Sequence, residues 1–85
     1  RTEARRQQRN TEKLKRRIKE IETEIATLET NVEQLDEQIE DADSSNWEQL
    51  ESLTAEKAEK KEAIEQRYAE WESIDESIKQ VEESA

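Results

Sequence analysis

Cysteine, histidine, glycine, proline, methionine and phenylalanine are all absent from this chain of 85 residues. Each absence excludes something. Without His or Cys there is no raw material for nucleophilic triads, zinc sites or redox pairs. Without Gly a Walker-type phosphate loop cannot form, because side chains obstruct the backbone approach it needs. The segment is therefore read as non-catalytic, with no cofactor of its own. No apolar run approaches the roughly 20 residues of a membrane helix, and no secretory leader is recognisable. The expected setting is cytoplasmic, with no membrane partner. Loss of both Gly and Pro also removes the common helix breakers. The chain starts at Arg1 and has no Met, so a fragment of a longer protein is expected.

What is present is charge: 45 % of residues are charged and only 29 % hydrophobic, too few to close a globular core of the usual layered kind. Such a composition gives either disorder or a helical coil. Leu14, Ile18, Ile21, Ile25, Leu28, Val32, Leu35 and Ile39 recur at alternating steps of four and three. That spacing holds one apolar row on one side of a helix and requires a second helix to cover it. With β-branched residues at one seam position and mostly Leu at the other, half of a parallel dimer is the first reading.

The next stretch changes the partner. Asp41-Ala42-Asp43-Ser44-Ser45-Asn46 is a polar break, and Ser45 with Glu48 fits a capping box opening a second helix. Extending the first register past Ile39 would put Gln49, Glu56, Glu70 and Ser77 in the seam. The apolar residues fall instead at Trp47, Leu50, Ile64, Tyr68, Trp71 and Ile78. The register resets, so the expected fold is all-α, a two-helix antiparallel coiled-coil hairpin, monomeric in isolation. The expected boundaries are a basic lead-in over 1–13, helical or frayed, a first helix over 14–41, an acidic turn over 42–45, a second helix over 46–82 and a tail over 83–85. Folding back at Ser44 would set Ile39 against Leu50, Ile25 against Ile64, Ile21 against Tyr68 and Ile18 against Trp71. Lys57 and Lys61 would then lay their methylenes over Val32 and Leu28.

Charge is segregated along the chain. Residues 1–19 carry nine basic and two acidic residues, a net of plus seven, and the remainder carries five basic and 22 acidic, a net of minus seventeen. Arg1, Arg5, Arg9, Lys13 and Arg17 recur every four residues, with Arg6 and Arg16 beside them. A cationic stripe of this kind suits a phosphodiester backbone, which it would position without reading sequence. Arg5, Arg6, Arg9, Lys13, Arg16 and Arg17 are the candidate nucleic-acid contacts. Two other readings stand beside this one: neutralisation within the hairpin, pairing Lys13 with Glu76, Arg17 with Glu72 and Arg6 with Glu83, or a protein partner. Trp47, Tyr68 and Trp71 are read as seam residues in preference to base-stacking platforms. The turn resembles the start of a calcium loop but has Asn46 where that loop needs Gly and Ser52 where it needs Glu, so it is read as a solvated acidic turn.

The second helix carries a resemblance. A basic lead-in, a heptad helix, an acidic turn, Trp47-Glu48-Gln49-Leu50 and then Tyr68-Ala69-Glu70-Trp71-Glu72-Ser73-Ile74-Asp75 together resemble the C-terminal domain of the ABC-F family of duplicated-cassette ATPases, the Uup type in particular. The specific part is an aromatic residue three before Trp-Glu, followed by an aliphatic-acid pair. Family members often have Asp-Pro in the turn, where this chain has Asp43-Ser44, and Lys57 and Lys61 interrupt a helix that is usually richer in leucine. The resemblance implies a coiled coil appended to two cassettes that hold ATP and Mg²⁺ upstream of Arg1. It also implies a parent that acts on the ribosome in translation and a tail associated with DNA binding. The implied partners are DNA or ribosomal RNA, the ribosome and the parent's cassettes. The alternatives are a structural or protein-interaction coil, and the tRNA-binding helical arm of an aminoacyl-tRNA synthetase.

Overall fold

Regular alternation of polar and apolar residues at helical spacing, with no breaker, produces two long helices. The computed structural model describes residues 2–84 and places them in α1 (Thr2–Asp41) and α2 (Trp47–Ser84). Arg1 of the basic stripe and Ala85 of the tail lie outside the described residues. The chain is all-α, and the two helices fold back on each other as an antiparallel hairpin: Arg17 of α1 reaches Glu70 of α2, and Lys15 reaches Glu82. Within α1 the hydroxyls of Thr11, Thr23, Thr27 and Thr30 donate to the carbonyl four residues earlier, which lets these residues sit in a helix interior without an unpaired group.

The reversal needs no glycine, since no described residue has a positive φ. Asp43 organises it. Its carbonyl accepts from the Asn46 backbone N–H at 2.9 Å and its Oδ1 accepts from the Ser45 N–H at 3.0 Å. The cap of α2 differs from the expected Ser45–Glu48 box. Asn46 Oδ1 accepts the Gln49 N–H at 3.3 Å, while Asn46 Nδ2 donates to Gln49 Oε1 at 3.1 Å. The Ser45 N–H is already tied back to Asp43, which removes the donor that Glu48 would accept from in a capping box, and the Asn46 side chain caps the first turn one residue later.

That displacement propagates into the register. The covered row on α1 is the expected one, Leu14 through Ile39, extended by Thr11 and Ala42. On α2 the covered row is Leu50, Leu53, Lys57, Lys60, Ile64, Arg67, Trp71, Ile74, Ile78 and Val81. Set in reverse against the α1 row, and consistent with the cross-helix ion pairs, it puts Trp71 opposite Ile21, Ile74 opposite Ile18 and Arg67 opposite Ile25. The pairings expected from a fold-back at Ser44 are therefore displaced, because the chain reverses nearer Asn46. Lys60 takes the seam place expected of Lys61, which is exposed. Tyr68 and Trp47 are not seam residues: they are 48 % and 65 % exposed, and of the three aromatics only Trp71 is in the row.

The core is thin. Ile21, at 0 % exposure, is fully enclosed, with Ile25, Leu35 and Ile78 nearly so. The other seam residues are half-covered, as one neighbouring helix allows. A polar layer interrupts the apolar row where Arg67 enters it. Arg67 Nε lies 3.0 Å from Glu24 Oε2, both atoms shielded from solvent but poorly aligned for a hydrogen bond, so the contact is a charge pair.

Candidate nucleic-acid interface

The seam defines the outward side of α1, and the basic residues divide according to it. Arg5, Arg6, Arg9, Lys13 and Arg16 are all exposed and occupy heptad places pointing away from α2. Lys19 continues the same face, although sequence reading counted it in the basic segment without choosing it as a contact. Stepping by three and four from Lys13 and Arg16 would have found it. None of the six has an ion pair among the described residues. From Arg5 to Lys19 this face runs roughly 21 Å along the helix at ~1.5 Å per residue.

Arg17 belongs elsewhere. It flanks the seam, with its side chain 34 % exposed, and grips Glu70 of α2 with two nitrogens, Nε to Oε2 at 2.8 Å and Nη2 to Oε1 at 3.2 Å. Its Nη1 donates to Glu20 at 3.2 Å and lies 3.6 Å from Glu24. The hydrogen bond to Glu70, and then that to Glu20, push the guanidinium pKa further up, while the Glu70 carboxyl is held below its ordinary value chiefly by the bond from Arg17. The partner expected for Arg17 was Glu72. Glu76 and Glu83 stand on outward places of α2 and Glu72 on its flank beside Tyr68, and among the described residues no ion pair joins them to Lys13, Arg6 or Arg17.

The aromatics do not extend the cationic face. Trp47 opens α2 at the turn, and the run from Arg9 to Asp41 alone separates the two ends by about 48 Å. Tyr68 donates its hydroxyl to Glu29 Oε1 at 3.2 Å, which raises the phenol pKa. No set of three or more potential metal ligands among the described residues is arranged to hold an ion, and no described helix is long and apolar enough to cross a membrane. The chemistry this surface offers is thus a row of cations, outside any ion pair among the described residues and broken by Glu12, on a rigid helix, suited to phosphate oxygens.

Comparison with known proteins returns no match among curated sequences or solved structures. The model of the ABC transporter C-terminal domain matches residues 9–83, from the middle of the cationic face to the last described turn of α2. That span includes most of both helices, the turn and the whole seam from Thr11 to Val81, and leaves Arg5 and Arg6 outside it. On that match, the chain belongs to the ABC transporter C-terminal domain family.

Proposed function

We propose that this domain is the non-catalytic coiled-coil tail of an ABC-F ATPase of the Uup type, and that the outward face of α1 contacts the sugar-phosphate backbone of nucleic acid, DNA or ribosomal RNA. The carrying observation is the run of exposed, unpaired cations at Arg5, Arg6, Arg9, Lys13, Arg16 and Lys19. Family membership supports the tail assignment and favours it over a synthetase arm. In such a parent, ATP and Mg²⁺ belong to cassettes upstream of Arg1, and the working setting is the ribosome in the cytoplasm.

The electrostatics supply orientation as well as attraction. The net charge is −10, so a polyanion is repelled by most of the surface. Acids of α2, Glu62, Glu65, Glu72 and Glu76 among them, turn it away from that helix and leave the basic N-terminal part of the outward side of α1 as the approach. Contacts of this kind hold nucleic acid in register without selecting bases.

Binding to duplex DNA and to ribosomal RNA, followed by anisotropy across a salt series, tests the reading. With six cations on phosphates, log K should fall against log salt with a slope of about −5. Changing Arg5, Arg6, Arg9 and Lys13 together to Glu should weaken binding by about 100-fold or more and flatten that slope. Affinity unchanged by the four substitutions would remove the proposal.

A further inference from the structure

One flank of the hairpin differs from the other. At Trp71 a groove opens between the helices, floored by Ile25 and Trp71 and walled by Ala26 and Tyr68. Past Glu29 it continues over Val32 and Ile64. Both walls are exposed, Tyr68 by 48 %. Its rim is acidic: Glu22, Glu29 and Glu72 at one end, Glu33 and Glu65 at the other, with Lys61 as the single cation. The stretch of α1 from Glu22 to Glu33 spans roughly 17 Å, about three helical turns.

We infer that this groove receives a basic amphipathic helix from another protein. An apolar row on the incoming helix would cover Tyr68, Trp71, Val32 and Ile64, above the already buried Ile25, while Lys or Arg on either side of that row meets the five rim carboxylates. Such a helix completes the covering that a two-stranded seam leaves half done. The charges also reject a second copy of this chain as the occupant. Pairing groove to groove would bring the same five carboxylates together. The only strongly basic segment, 1–19, has no apolar row to offer, because Thr11, Leu14 and Ile18 already face α2. Tyr68 holds its wall position through the bond to Glu29, which keeps the aromatic face turned to the groove edge. The inference does not depend on the nucleic-acid reading, since the cationic face lies on the outward side of α1 and toward the other end of the hairpin.

The chain has two tryptophans, so Trp47→Phe leaves Trp71 as a reporter in the groove floor. The probe is a synthetic helical peptide of about 18 residues with Leu at the two seam positions of each heptad and Lys at the flanking positions. It should bind one to one and shift Trp71 emission to shorter wavelength. A peptide with Ser in place of Leu, and another with Glu in place of Lys, should each bind at least about tenfold more weakly. Glu22→Lys, Glu29→Lys and Glu72→Lys together should cost at least about tenfold, whereas the same change in charge on the outward side of α2, Glu51→Lys, Glu59→Lys and Glu62→Lys, should stay within about twofold. Equal binding of the Ser or Glu peptide overturns the inference, as does equal loss in the two triple variants. Sedimentation of the protein alone as a dimer that excludes the Lys peptide overturns it as well. The three-peptide comparison uses an unaltered groove, so it decides the matter even if circular dichroism shows that a triple variant has lost its helices.

Discussion

Arg17 shows how two positions of identical sequence character acquire different work. It stands in the same four-residue recurrence as Lys13 and Arg9, yet it flanks the seam where they face outward, and Glu70 takes its planar fork bidentately. The pH behaviour follows. The Glu70 carboxyl has a depressed pKa, with the Arg17 hydrogen bond as the largest cause, so the contribution of the pair is present above the ordinary glutamate value of about 4.3 and is lost as pH falls through the lower folded value. Glu70→Gln should lower the thermal midpoint at neutral pH, and the gap to the parent protein should close in acid. A gap that persists unchanged below the folded pKa would show that the ionised pair is not its source. Comparing two proteins at each pH cancels the general relief of repulsion that protonation brings to so acidic a chain.

At the scale of the elements, α1 and α2 were legible to different degrees. Every seam place of α1 from Leu14 to Ile39 holds an aliphatic residue, so its row is visible as spacing alone. On α2 the row passes through Lys57, Lys60 and Arg67, while Tyr68 and Trp47 attract attention from flanking places. Reading Lys61 and Tyr68 as seam residues shifted those places by one and carried the cross-helix pairing with them. Lys57 keeps a partner in Asp36, but Lys60 has no ion pair among the described residues. Lys60→Leu should therefore stabilise the hairpin by about 1 kcal/mol, half the value of burying a leucine fully, and raise the urea midpoint without changing the slope. A lower midpoint would mean that the lysine stem already covers Val32 and Leu35 as well as leucine can.

The whole molecule is a rod of 67 × 15 × 14 Å with a radius of gyration of 19.2 Å. A compact domain of this length would measure about 12 Å and an unfolded chain about 29 Å, so scattering distinguishes all three states. We expect dilute solution to give a monomer near the rod value at low and moderate concentration, with a cross-section one hairpin wide. A mass of two chains and a doubled cross-section would point to the exposed groove side as a self-association surface. Along so thin a body, the positive outward face of α1 near its start and the acidic groove are separate surfaces, so the two proposed partners would not compete for one face.

Composition and spacing by themselves determined that the chain is helical, that it doubles back once, and that its first 19 residues carry charge of the opposite sign to the rest. These are local properties: helix period and the absence of breakers act within a few residues of chain. Tertiary structure decided the register, the separation of Arg17 from the other basic residues, and the existence of an acidic groove with Tyr68 on its edge. The reason is that register in a hairpin depends on where the second helix is capped. With Asp43 holding Ser45, the cap falls on Asn46, and that single residue sets which side chains of α2 every seam position of α1 will meet.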